Sequence, residues 1–119
     1  MEFSVKATYN FFNGVVDNAQ MNKTALMAWS PLGGGSVFKG EDEQSVRLRT
    51  VLETIAKEHQ TDIDVVMYAF VLKHPAEIMP ITGTMNVGRV KNAVDALELD
   101  LTYDEWYAIL AVSRGFDVP

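Results

Sequence analysis

Two stretches of this chain bring together residue types able to hold a ligand. The first is Ala25-Leu26-Met27-Ala28-Trp29-Ser30-Pro31-Leu32-Gly33-Gly34-Gly35-Ser36. Its continuous apolar run stops at Ser-Pro, which reads as a strand over Ala25 to Trp29 buried on both faces of a parallel sheet. Successive glycines lose too much entropy inside a regular element, so an irregular loop must follow, and a strand ending in a glycine loop lets a ligand approach backbone. The second stretch is Pro80-Ile81-Thr82-Gly83-Thr84, with Asn86, Arg89 and Asn92 after it. A short turn, a hydroxyl and a helix N-terminus near Asn86 offer donors to an anion, and Arg89 can meet a phosphate through two parallel N–H bonds.

Each feature has a plainer reading. A tryptophan at a strand end is more often core than ligand contact, and an arginine on a helix is usually a solvated charge. The glycines match neither a GxGxxG fingerprint nor a Walker loop. His59 and His74 fall at helix ends, where a cation suits the helix dipole, and structural capping is the better reading for both. Glu41-Asp42-Glu43 reads as a solvated loop. No paired carboxylates and no metal constellation are visible.

Eight segments are predicted to position these residues. Phe3 to Thr8 alternates as a short strand with Phe3, Val5 and Ala7 on one face. Phe11 to Asn22 is a weak helix carrying Phe12, Val15, Val16 and Ala19 at three-and-four spacing, interrupted by Gly14. The strand Ala25 to Trp29 follows. Ser45 to His59 is an amphipathic helix with Leu48, Val51, Leu52, Ile55 and Ala56 inward and Arg47, Arg49, Glu53 and Lys57 outward. Thr61-Asp62-Ile63-Asp64 supplies caps for a helix that buries Val65, Val66, Ala69 and Phe70, with Leu72 at its margin, and ends near His74 before Pro75. Ile78 to Ile81 is a short strand. Asn86 caps a helix with Val90, Val94 and Leu97 inward, and Thr102-Tyr103-Asp104-Glu105 is a capping box before a helix burying Trp106, Ile109 and Leu110.

This order reads as repeated strand-helix units around a parallel sheet. Only about three strands are available, whereas a closed barrel of this kind takes eight strand-helix pairs and roughly 250 residues. Something is missing, or a second copy supplies it. The chain has 119 residues, 48% of them hydrophobic and 22% charged, with a net charge of −6. That size allows one domain with a genuine core. The acidic balance, with scattered Lys and Arg, opposes nucleic acid and anionic membranes, and disfavours a DNA-binding reading of the two adjacent helices between Ser45 and Lys73. There are no cysteines, so disulfides and thiolate metal sites are excluded. Neither a signal peptide nor an apolar run long enough to span a membrane is recognisable, and a cytoplasmic location is expected.

Over essentially the whole chain, the two opening stretches resemble the C-terminal, cofactor-holding half of the aldo/keto reductase family, in its bacterial oxidoreductase branch. The resemblance implies an α/β fold, the last part of a (β/α)8 barrel, with residues 1–119 forming one partial-barrel domain. By position, Trp29 would stack on a nicotinamide ring, and Ser30, Pro31, Leu32, Gly33 and Gly34 would form the pyrophosphate loop. Gly83, Thr84, Arg89 and Asn92 would read the adenosine 2′-phosphate, which favours NADP; Gly83 stands where many family members have a lysine. The family's hydride transfer uses an Asp, a Tyr, a Lys and a His from the first half of its barrel, and no segment here matches them. An isolated Tyr9 or Tyr103 cannot replace a tyrosine tuned by its neighbours. The resemblance therefore implies no catalytic residue and no metal ligand in this chain, which alone would be inactive. The expected partners are a nicotinamide cofactor and either a missing N-terminal half or a second copy paired through exposed sheet edges. The alternative to the reductase fragment is a self-assembling half-barrel without turnover.

Overall fold

The computed structural model describes residues 1, 3–9, 13–83 and 86–115. In chain order the elements are α1 (Val15–Asn22), β1 (Met27–Ala28), a 3-10 turn at Gly33–Gly35 running into α2 (Ser36–Lys39), α3 (Glu43–Glu58), α4 (Ile63–Lys73), β2 (Met79–Pro80), α5 (Val87–Asp95) and α6 (Tyr103–Arg114). Strands β1 and β2 pair in parallel, Met27 opposite Met79 and Ala28 opposite Pro80. Parallel neighbours require a crossover, here the segment containing α2, α3 and α4.

Helices α3, α5 and α6 begin at side-chain caps, whereas Asp62 at the start of α4 makes no side-chain cap bond. Asp42 accepts from the Ser45 amide at 3.1 Å and starts α3, whose apolar stripe Leu48, Leu52, Ile55 and Ala56 is buried. Thr102 and Glu105 form a reciprocal capping box on α6, which closes at Gly115 with φ 84°. Helix α4 is enclosed on every side from Asp64 to Val71. Its C-terminal carbonyls would lack partners; the Trp106 indole donates to the Phe70 carbonyl at 2.9 Å and stacks on the Phe70 ring at 5.0 Å. Both histidines sit at helix ends. His59 Nε2 lies 2.8 Å from Glu105 Oε2, and His74 Nδ1 accepts from the Ala76 amide.

Several expectations are corrected. Phe3 to Thr8 forms no strand: Ser4 and Ala7 exchange backbone hydrogen bonds, and the Ser4 hydroxyl oxygen accepts from the amides of Lys6 and Ala7, so the segment is a turn that buries Phe3, Ser4 and Val5 together. The place beside β1 is taken by Met1, which donates to the Met27 carbonyl and accepts from the Trp29 amide. Among the described residues two strands are present, with Met1 bonded alongside β1, where about three strands were expected. The run Ala25 to Trp29 is not buried on both faces either. Ala28 is buried, while Met27 and Trp29 are exposed, because one face of the sheet packs on helices and the other has no cover within the described residues. Glu43 belongs to α3 and Asp42 is its cap, so the acidic run is a helix start. Helix α1 begins after Gly14, which takes a left-handed φ of 91° at its cap; Phe11 and Phe12 lie outside the described residues.

The largest reversal is α5. Val90, Val94 and Leu97 point outward, at 40%, 58% and 70% exposure. The helix instead packs on α4 through Asn92, Ala93 and Ala96. The Asn92 amide donates to both oxygens of Asp64, at 2.9 and 3.0 Å, and a carboxylate only 5% exposed takes precedence over valines because leaving it without donors is costly.

Two outcomes follow for the purified chain. Leu52→Ala should lower unfolding stability by about 2–5 kcal/mol and Val94→Ser by under ~0.5 kcal/mol, read from urea midpoints. Burial holds the His74 imidazole below its ordinary 6.5, against a smaller pull upward from Asp17. Stability should therefore be present above that value and decline as pH falls below it, and His74→Gln should flatten the slope of melting temperature between about pH 7 and about pH 5. Glu105, where hydrogen bonds from Thr102 and His59 outweigh the raising effect of burial, acts only below 4.5, and Asp42, held down by Ser45, only below 3.8.

Candidate cofactor cleft

Parallel pairing sends the chain out of β1 and β2 at the same end, so the two loops that follow must meet there. They border one cleft of about 580 Å³. Trp29, Ser30, Pro31, Leu32, Gly34 and Gly35 line it from the first loop, Ile81, Thr82, Gly83 and Arg89 from the second, and Tyr68 from α4.

The first loop is a succession of tight turns. Ser30 has φ 51°, and Gly33, Gly34 and Gly35 have φ 62°, 68° and 81°. A left-handed serine costs roughly 1–2 kcal/mol and marks a backbone that its surroundings dictate. The Gly33 and Gly35 amides donate to the Ser30 and Leu32 carbonyls at 2.9 and 3.1 Å. The amides of Ser30 and Leu32 have no hydrogen-bond partner among the described residues. Trp29, 51% exposed, stands at the strand end with its indole off the core face.

In the second loop, Asn86 accepts from the Arg89 amide at 3.2 Å and sets the first turn of α5. The Arg89 guanidinium then lies over the Phe38 ring, 4.9 Å from its centre. Arg89 also borders a second cleft of about 530 Å³, with Phe38, Lys57, Asp62, Asp64 and Asn92, so one cation faces both spaces. Of the expected residues, Gly33 and Asn92 do not border the first cleft. Gly33 is turned onto Lys6 and Ser4, since a methyl there would come within 3.3 Å of Lys6 Cβ. The Asn92 amide is taken up by Asp64 and by Asp62 at 3.2 Å. Thr84 lies outside the described residues.

Tyr68, which lines the first cleft, and Phe38, which lines the second, are not singled out by the sequence. Tyr68 donates to the Thr82 hydroxyl at 3.1 Å and joins α4 to the second loop. Its signal was a phenol in the middle of an apolar run, which needs a polar partner when buried. Phe38 lies beyond the glycine loop in a stretch with no predicted element, and nothing local sets it under Arg89.

Strand-helix units with a parallel pair of strands, whose following loops share one cleft, define a segment of a (β/α)8 barrel. The fold agrees with the crystal structure of a thermostable aldo-keto reductase, Tm1743, in complex with the inhibitor epalrestat: TM-score 0.80 at 23% identity, over 93% of this chain and 38% of that one. The chain belongs to the aldo/keto reductase family, whose family model matches residues 3–114. It is similar to an uncharacterized oxidoreductase, YcsN, of Bacillus subtilis (38% identity, 100% of this chain and 40% of the relative). A 6-dehydroglucose reductase of Agrobacterium fabrum is 37% identical over 99% of this chain and 39% of its own length, and oxidoreductase YdhF of Escherichia coli 38% over 90% and 36%. The chain thus spans about two-fifths of the length of these relatives.

The clasp between α4 and α5 has a measurable consequence: Asn92→Ala should cost about 1–3 kcal/mol by leaving the Asp64 carboxylate with the Val65 amide as its remaining donor among the described residues, and Asn92→Ala with Asp64→Ala should recover part of that loss in a thermal melt.

Proposed function

We propose that this chain is the cofactor-holding side of an NADP-dependent aldo/keto reductase, one that interconverts carbonyls and alcohols, and that it is inactive without the rest of the barrel. The observation that carries the reading is the cleft in which Trp29, Ser30, Pro31, Leu32, Gly34, Gly83 and Arg89 come together. The residues present suit a dinucleotide. A half-exposed indole offers a stacking face, left-handed turns offer backbone amides to a pyrophosphate, and a guanidinium at the first turn of a helix suits a 2′-phosphate. When bound, the cofactor supplies the hydride; the chain's own residues would bind and orient it. Trp29 would hold the nicotinamide ring in one plane, the Ser30 to Gly34 backbone would fix the pyrophosphate, and Arg89, with Thr84, would select the phosphorylated ribose. Asn92 would act indirectly, by holding α5 against α4.

Nothing in this chain matches the Asp, Tyr, Lys and His expected of the family, so no proton donor is assigned here. Residues 1–119 would act as one unit, in the cytoplasm; among the described residues no helix is long and apolar enough to cross a membrane. The uncovered sheet face, with Met27, Trp29, Met79 and Ile81, and the outward stripe Val87, Val90, Val94 and Leu97 support a need for further cover, by an N-terminal half-barrel. The same apolar surface favours the second reading, a half-barrel that pairs with its own copy without turnover.

Titration of the purified chain with NADPH, followed by tryptophan fluorescence, tests the proposal. Saturable quenching that disappears in Trp29→Phe, a preference for NADPH over NADH reduced about tenfold or more in Arg89→Met, and no carbonyl reduction by the chain alone are expected. A folded chain that binds no NADPH and sediments as a dimer would favour the self-assembly reading.

A further inference from the structure

The cleft loop has little to hold itself in place. Three successive glycines in left-handed conformation carry a large entropic cost of ordering, and α2, which follows them, is a single helical turn, too short to be stable alone. Two basic side chains from outside the loop fasten it. Lys6 Nζ donates to the Ser36 hydroxyl at 2.9 Å and to the Ser45 hydroxyl at 2.8 Å, and lies 3.6 Å from Asp42. The Ser36 hydroxyl in turn donates to the Gly33 carbonyl at 3.1 Å. On the other side, Arg49 Nε donates to the Val37 carbonyl at 2.8 Å and its Nη2 to the Gly40 carbonyl at 2.5 Å, meeting carbonyls that a one-turn helix leaves unsatisfied at its end. Neither side chain borders the cleft.

We propose that Lys6 and Arg49 are positioning residues that clamp the segment Gly33 to Gly40 from its two ends, so that the loop before it is ordered for a pyrophosphate in advance of binding. The geometry that delivers Lys6 is the Ser4 to Ala7 turn, and Gly33 packs directly on it. The clamp rests on the reading of Ser30 to Gly34 as a pyrophosphate loop. Its effect is preorganisation: an ordered loop binds without first losing conformational freedom.

The test uses the full chain with Lys6→Met, Lys6→Arg and Arg49→Met. Hydrogen exchange of the Gly33 to Lys39 amides should speed up about tenfold or more in both methionine variants while the α4 amides keep their rates. NADPH should bind about tenfold more weakly to each. Nicotinamide riboside, which carries no phosphate, should not discriminate between them and the parent, and Lys6→Arg should restore both exchange and affinity. Unchanged loop exchange in Lys6→Met, which removes no core group, overturns the clamp, as does unchanged NADPH affinity where the parent binds. A parent chain that fails to bind NADPH overturns the cofactor reading instead, and loop exchange then decides the clamp alone.

Discussion

The enclosure of α4 is the constraint from which the remaining arrangement follows. Buried on every side from Asp64 to Val71, this helix needs a neighbour at each azimuth. Helix α3 lies against it with Leu48, Leu52 and Ile55, and α6 meets its end through Trp106 on Phe70. Strand β2 follows from its exit at His74 and Pro75, and α5 is drawn in by the Asp64 carboxylate. Because α4 also carries Tyr68, whose hydroxyl bonds Thr82, the same element that organises the core reaches the cleft.

The cleft itself is a product of parallel pairing. Residues fifty positions apart in the chain could border one space only if β1 and β2 run in the same direction, so that both loops leave at one end. The glycine loop adapts to that end through left-handed turns, and its conformation is set from behind, by Ser4, Lys6 and Arg49. Where Phe3 to Thr8 departs from the expected strand, the departure serves the loop: a turn there presents Lys6 to Ser36, which a strand with alternating faces would not.

The surface left uncovered tells the same story as the length comparison. Among the described residues the sheet is covered by helices on one face and bare on the other, with Met27, Trp29, Met79 and Ile81 exposed, and α5 turns its apolar stripe away from the chain's own core. Both features suit a segment that covers about two-fifths of its relatives, and both explain why local amphipathicity misassigned α5. Periodicity reports which face is apolar, without reporting which apolar face finds its partner inside the same chain.

Sequence by itself determined the type and order of most helices, because caps such as Asn86 and Thr102, breakers such as Gly14 and Pro75, and the stripe of α3 act over a few residues. It also determined the family resemblance and the two loops that border the cleft. Tertiary structure alone decided that Asn92 is committed to Asp64, that Phe38 lies under Arg89, that Tyr68 joins the cleft, and that Phe3 to Thr8 is a turn. The first three rest on contacts between residues distant along the chain or on a buried polar group outranking an apolar stripe, and the last on hydrogen bonds within the Ser4 to Ala7 turn; none leaves a periodic trace in sequence.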